Sequence, residues 1–171
     1  MTPLPIRPVG PITPYLWFDG QAEEAAEFYC SLFADSSIDN VSRYSEVGQE
    51  IHGRAPGSAM IVNFRLGGQP FVGLNGGPQF KFTEAVSFMV TCETQAELDA
   101  LWERLTQGGD DTAQQCGWLR DRFGLSWQVV PSALGRLLGD PDPGRAGRAM
   151  QAMLQMKKID VAELERAAAA V

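Results

Sequence analysis

The chain has 171 residues, 14 of them Lys or Arg and 21 Asp or Glu, for a net charge of −7 with its one histidine neutral. With 44% hydrophobic and 20% charged residues it has the balance of a globular protein, which excludes a disordered chain. The acidic balance excludes a general nucleic-acid binder, which needs Lys and Arg to displace counterions.

The length suits one domain, or two small halves sharing a core. Cys30, Cys92 and Cys116 are an odd count with no C-x-x-C pair, the pattern of reduced thiols acting as small apolar residues. No apolar run approaches the roughly 18 residues of a membrane span. The proline-rich start, MTPLPIRPVGPITP, does not read as a signal peptide, so a cytoplasmic protein is expected.

Residues 1–10 read as a loose arm, because Pro3, Pro5 and Pro8 remove backbone donors. Residues 11–18 read as a strand and 20–33 as a helix, with Asp19 at its N-cap and Ala22, Ala25, Ala26, Tyr29, Leu32 and Phe33 on one face. Strands are expected at 38–45, 59–66 and 70–75, with a polar loop over 47–57. Gly67-Gly68 sits between two extended runs, a tight hairpin signal. After a connection at 76–84 comes a strand at 85–92, then a helix at 95–107 opened by the capping box Thr94 and Glu97 and stopped by Gly108-Gly109. Leu98, Leu101, Trp102 and Leu105 line that helix. Strands at 117–122 and 125–130 follow a polar loop. Three helices end the chain: one after Pro131, one from Pro143 to 157 with Ala146, Ala149, Met150, Met153 and Leu154 on its buried face, and one capped by Asp160 with Glu163.

The order repeats. Gln21-Ala22-Glu23 returns as Gln95-Ala96-Glu97, 74 positions later, and at that offset Leu16 meets Val90 and Phe28 meets Trp102. Strand parity and helix phase are both kept. The expected fold is α+β: two βαβββ modules forming a curved, cupped mixed sheet with helices outside, plus C-terminal helices. Residues 11–84 form the first module, 85–131 the second and 132–171 the helical tail. Leu16, Phe18, Phe88 and Val90 share the parity that helices cover. Thr13, Tyr15, Trp17, Ser87, Met89 and Thr91 share the other, which mixes hydroxyls with rings. Such a face suits either a small-molecule pocket or an ordinary core with satisfied hydroxyls.

The stretches LWFDGQAEEAAEFY, LNGGPQFKFTEA, CGWLRDRFGLSWQVVP and AMQAMLQMKKID together resemble the PhnB-like branch of the vicinal oxygen chelate superfamily, many of whose members carry the label 3-demethylubiquinone 3-methyltransferase. The resemblance implies paired modules, a cupped cavity and a homodimer. In the metal-dependent members, His, Gln or Glu at four strand positions hold a divalent cation. Those positions fall here at Thr13, at Phe71 or Val72, at Ser87 and at Gln128. These lack the imidazole and carboxylate donors a divalent site needs, and Gln128 alone cannot supply them, so no metal and no other cofactor is expected. His52, the only histidine, falls in a loop and reads as a solvated residue. The methyltransferase label lacks its motif as well. Gly67-Gly68, Gly76-Gly77, Gly108-Gly109 and the pair Gly144 and Gly147 never follow a buried parallel strand and open a helix.

The candidate ligand-binding residues are Thr13, Tyr15, Trp17, Asn75, Ser87, Met89, Trp118 and Gln128. Asn75 either faces the cup, with Phe71 and Gly73, or forms the Asn-Gly-Gly turn. Trp118 either walls the pocket or packs under the terminal helices. Trp127, of opposite parity to Gln128, reads as core. Asp121, between Arg120 and Arg122, reads as a solvated hairpin ion pair. Cys116 has no flanking cation to activate it, and no catalytic residue is assigned. The expected function is metal-free binding of a small, partly aromatic molecule in the cup, with neither nucleic acid nor membrane as partner. The alternatives are a metal-dependent lyase or dioxygenase with atypical ligands and a structural dimer without ligand.

Overall fold

The computed structural model describes residues 8–170. Residues 1–7 of the expected N-terminal arm lie outside the described residues. The chain forms two compact units that divide between Lys81 and Phe82.

In the first unit, β1 (Tyr15–Phe18), α1 (Ala22–Cys30), β2 (Ser37–Arg43), α2 (Gln49–His52), β3 (Ala59–Leu66) and β4 (Gln69–Asn75) follow in order. The sheet runs β1-β4-β3-β2, with β1 parallel to β4 and the other pairs antiparallel. Gly67 and Gly68 turn the β3–β4 hairpin at φ +54° and +79°, the left-handed values a two-residue turn demands. Alternation buries Leu16, Phe18, Val62, Phe64 and Phe71, and α1 buries Ala22, Ala25, Ala26 and Tyr29.

Several expected bounds differ. The first strand starts at Tyr15 rather than 11, because Pro11 and Pro14 cannot donate to a ladder. The first helix ends at Cys30, leaving Leu32 and Phe33 outside it. Asp19 does not cap it. Gln21 holds the cap position without a side-chain bond, and the first helical N–H, that of Ala22, donates instead to Asn75 Oδ1 at 2.8 Å. The polar loop contains the short α2, flanked by Gly48 and Gly53 in the left-handed region.

In the second unit, β5 (Ser87–Cys92), α3 (Gln95–Thr106), β6 (Trp118–Arg120), β7 (Ser126–Pro131), α4 (Ala133–Leu138), α5 (Pro143–Met153) and α6 (Val161–Ala169) follow. Its sheet runs β5-β7-β6, with β5 parallel to β7. The capping box of Thr94 and Glu97 opens α3, which buries Leu98, Trp102 and Leu105. Asp160 accepts the Glu163 N–H at the start of α6.

The fold is mixed α+β with the expected helical tail, in two open sheets of four and three strands. The second module is therefore βαββ among the described residues. Where a fourth strand would run, a short 3-10 helix, Asp111–Ala113, precedes a single bridge between Gln115 and Trp118. Asp110 fixes that turn by accepting the Thr112 N–H at 2.9 Å. The buried face of α5 also differs: Ala149 is buried and Ala146 and Met153 are half-buried, but Met150 and Leu154 are exposed. No helix among the described residues is long and apolar enough to cross a membrane.

Candidate functional site

The second sheet has one covered and one open face. Trp127, Val129 and Leu119 are buried on the first, in register with Phe88 and Val90. Directly paired residues share a face, so the open side is built in rows. Ser87, Ser126 and Arg120 form one row; Met89, Gln128 and Trp118 form the next. Four expected site residues thus gather on one surface. Gln128 Nε2 donates to Ser87 Oγ at 2.9 Å, and the Met89 side chain stands 64% exposed beside them. That hydrogen bond leaves Gln128 Oε1 as an acceptor and the Ser87 hydroxyl proton as a donor, with no further partner among the described residues.

Ser126 adds a group that residue-by-residue reasoning missed. It is 1% exposed, yet its hydroxyl has no hydrogen-bond partner among the described residues. A buried hydroxyl is normally satisfied, and one left open costs about 1–3 kcal/mol. Its parity with Gln128 was readable from the sequence; its burial was not.

Trp118 lines a cleft of about 400 Å³ with Glu84, Thr112, Gln115 and Cys116. Cys116 is half-buried at φ +53°. Behind the cleft, Arg120 bonds Glu84 at 2.9 Å and also reaches the Asp110 carboxylate. The Thr112 hydroxyl, then Arg120, hold the Asp110 carboxyl down to about 2.

Asp121 is not the solvated ion pair its arginine neighbours suggest. It is 3% exposed and accepts from Phe123 N at 2.9 Å, Leu125 N at 3.0 Å and Trp127 Nε1 at 2.8 Å. The indole and the turn amides draw the carboxylate inward and fix the β6–β7 hairpin that carries Trp118 and Gln128.

In the first unit, Tyr15 and Trp17 lie on the open face in register with Val72 and Leu74, and Tyr15 is 56% exposed. Trp17 is anchored: its Nε1 donates to Gly77 O at 2.7 Å, Phe80 meets its ring edge-on at 4.9 Å, and a Cβ at Gly76 would strike the indole. Thr13 Oγ1 donates to Pro11 O at 3.3 Å. Asn63, half-buried, pairs with Val72 on the same face and was not anticipated. Asn75 is the exception among the expected residues. It shares a face with Phe71 and Gly73, but that face is the one α1 covers. At 3% exposure its amide is spent on Ala22 N and, at 3.0 Å, on Ala59 O.

Register also decides between Phe71 and Val72. Tyr15 pairs with Val72, and Met89, its counterpart 74 positions on, pairs with Gln128. Val72 is therefore the equivalent of Gln128. The positions that the resemblance marks for a metal carry a hydroxyl and an alkyl chain in the first unit, and a hydroxyl and an amide in the second. Neither pair supplies the imidazole, thiolate or carboxylate groups that hold a transition-metal ion.

The chain matches a protein-family model described as 3-demethylubiquinone-9 3-methyltransferase over residues 10–130. It is similar to a solved PhnB protein from Bacillus cereus, with 38% identity over 71% of this chain and 98% of that one, at a TM-score of 0.62. A protein from Pseudomonas aeruginosa shares 21% identity over 70% of this chain and 96% of its own, at a TM-score of 0.54. A glyoxylase/bleomycin resistance protein/dioxygenase domain from Frankia is 19% identical over 71% of this chain and 90% of its own, at a TM-score of 0.43. No curated protein matches.

Proposed function

The chain belongs to the 3-demethylubiquinone-9 3-methyltransferase family, the PhnB-like branch of the vicinal oxygen chelate superfamily, and we propose that it binds a small, partly aromatic molecule against the open face of its second sheet, without a divalent cation. The observation that carries this reading is the Gln128–Ser87 pair on that face, which keeps an unused acceptor and an unused donor beside Met89 and Trp118. Oε1 of Gln128 accepts from a ligand hydroxyl, the Ser87 hydroxyl donates to a carbonyl, and Trp118 and Met89 supply apolar contact. The surroundings of the glycines favour binding over methyl transfer. Gly67-Gly68 joins two strands, Gly76-Gly77 follows β4, Gly108-Gly109 follows α3, and Gly144 and Gly147 lie inside α5.

A thermal-shift screen of small aromatic and dicarbonyl metabolites tests the reading, because a ligand of the native state raises the melting temperature. A hit should lose roughly tenfold in affinity in Gln128→Leu, the worth of one buried hydrogen bond. Ser126→Ala should raise the stability of the free protein by about 1 kcal/mol, because it removes an unsatisfied group. A panel without hits, or hits indifferent to Gln128→Leu, defeats the proposal.

A further inference from the structure

The first unit holds a cleft of about 300 Å³ at the carboxyl ends of the parallel strands β1 and β4, where α1 begins. Two arginines, Arg43 and Arg54, and one carboxylate, Glu23, line it. The arginines differ in what they have left to give. Arg43 is clamped: its two terminal nitrogens meet Glu23 at 2.9 and 3.4 Å, and Nη1 also reaches Gly57 O at 3.3 Å. Arg54 touches Asp19 through Nη2 alone, at 3.2 Å. Its Nε and Nη1 have no partner among the described residues. The Asp19 side chain is half exposed, and a single-contact pair of that kind is weak.

Arg54 is nevertheless well held at its backbone. Its N–H donates to His52 Nδ1 at 3.0 Å, and the His52 ring lies 4.5 Å from that of Tyr44. The Tyr44 hydroxyl in turn donates to Asn75 O at 2.8 Å. The side-chain amide of Asn75, also in the cleft wall, is buried and bonded to α1 and β3.

We propose that this cleft binds a small oxyanion, a carboxylate or a phosphate group, on the Arg54 guanidinium. The planar fork suits two oxygens of one anion, and the incoming group displaces Asp19 while Glu23 keeps Arg43 in place. The site lies wholly within the first unit, so its failure leaves the proposal for the second sheet untouched.

The test titrates the full chain with inorganic phosphate and, separately, with acetate, at constant ionic strength made up with chloride, and follows the melting temperature. Once the anion exceeds Kd, binding raises it with the logarithm of concentration, by roughly 3–5 °C for each further tenfold in a chain of this size. Phosphate alone, acetate alone or both giving that rise supports the site and identifies the oxyanion it prefers. Arg54→Gln abolishes the rise, and Arg136→Gln, which removes an exposed arginine paired with Glu165 in the second unit, leaves it intact. Asp19→Asn removes the competitor and tightens binding about two- to fivefold, the factor set by a weak exposed pair. A rise no larger than that of chloride, a rise that survives Arg54→Gln, or an Asp19→Asn affinity that is unchanged or weaker overturns the proposal.

Discussion

At Asp121 one carboxylate takes two turn amides and the Trp127 indole N–H within 3.0 Å. Each of these bonds has an ionised acceptor, which makes it stronger than a neutral one. Asp121→Asn keeps the volume but turns one acceptor oxygen into a donor that faces another N–H. The expected cost is about 2–4 kcal/mol, read as a lower urea midpoint with an unchanged slope. A midpoint equal to that of the parent would mean the carboxylate does not hold the hairpin. This burial was illegible in the sequence, where Arg120-Asp121-Arg122 is the signature of a solvated pair. The groups that draw the carboxylate inward are backbone amides of a turn not yet formed and an indole six residues on.

Between elements, Asn75 ties the end of β4 to the start of α1 and to β3. Asn75→Ala strands a buried N–H at Ala22 and a carbonyl at Ala59. The expected loss is about 2–4 kcal/mol, with faster hydrogen exchange at the first amides of α1. Stability within about 0.5 kcal/mol of the parent would show that water replaces both bonds. Elements whose signals are local were legible: the Thr94–Glu97 capping box, the Gly67-Gly68 hairpin, and the alternation that puts Ser87, Met89 and Gln128 on one face. What failed needed a neighbour. Asn75 has the same parity as Phe71 and Gly73 whichever side the helix takes, so sequence could not say which face was covered. The missing fourth strand of the second module and the uncovered Met150 and Leu154 depend in the same way on what packs alongside. Ser126 could be placed on the same face by parity, but only the folded sheet shows it buried with no partner among the described residues.

In the molecule as a whole, each unit pairs its first strand in parallel with its last, and the 74-residue offset carries Tyr15 onto Met89 and Thr13 onto Ser87. The duplication keeps the scaffold and varies the chemistry of equivalent positions, as Val72 against Gln128 shows. Metal content tests the consequence. A chain of net charge −7 attracts divalent cations loosely over its surface, so a trace in the purified protein decides nothing. A resident ion would survive dialysis at one per chain, raise the melting temperature and resist high salt; loose ions are screened away. With a hydroxyl and an alkyl chain in the first unit and a hydroxyl and an amide in the second, the expected outcome is substoichiometric Zn, Ni, Fe and Mn after dialysis and a melting temperature unmoved by adding any of them at high ionic strength. One tightly held equivalent of any of these metals would instead require carboxylate, thiolate or imidazole ligands recruited from elsewhere in the chain.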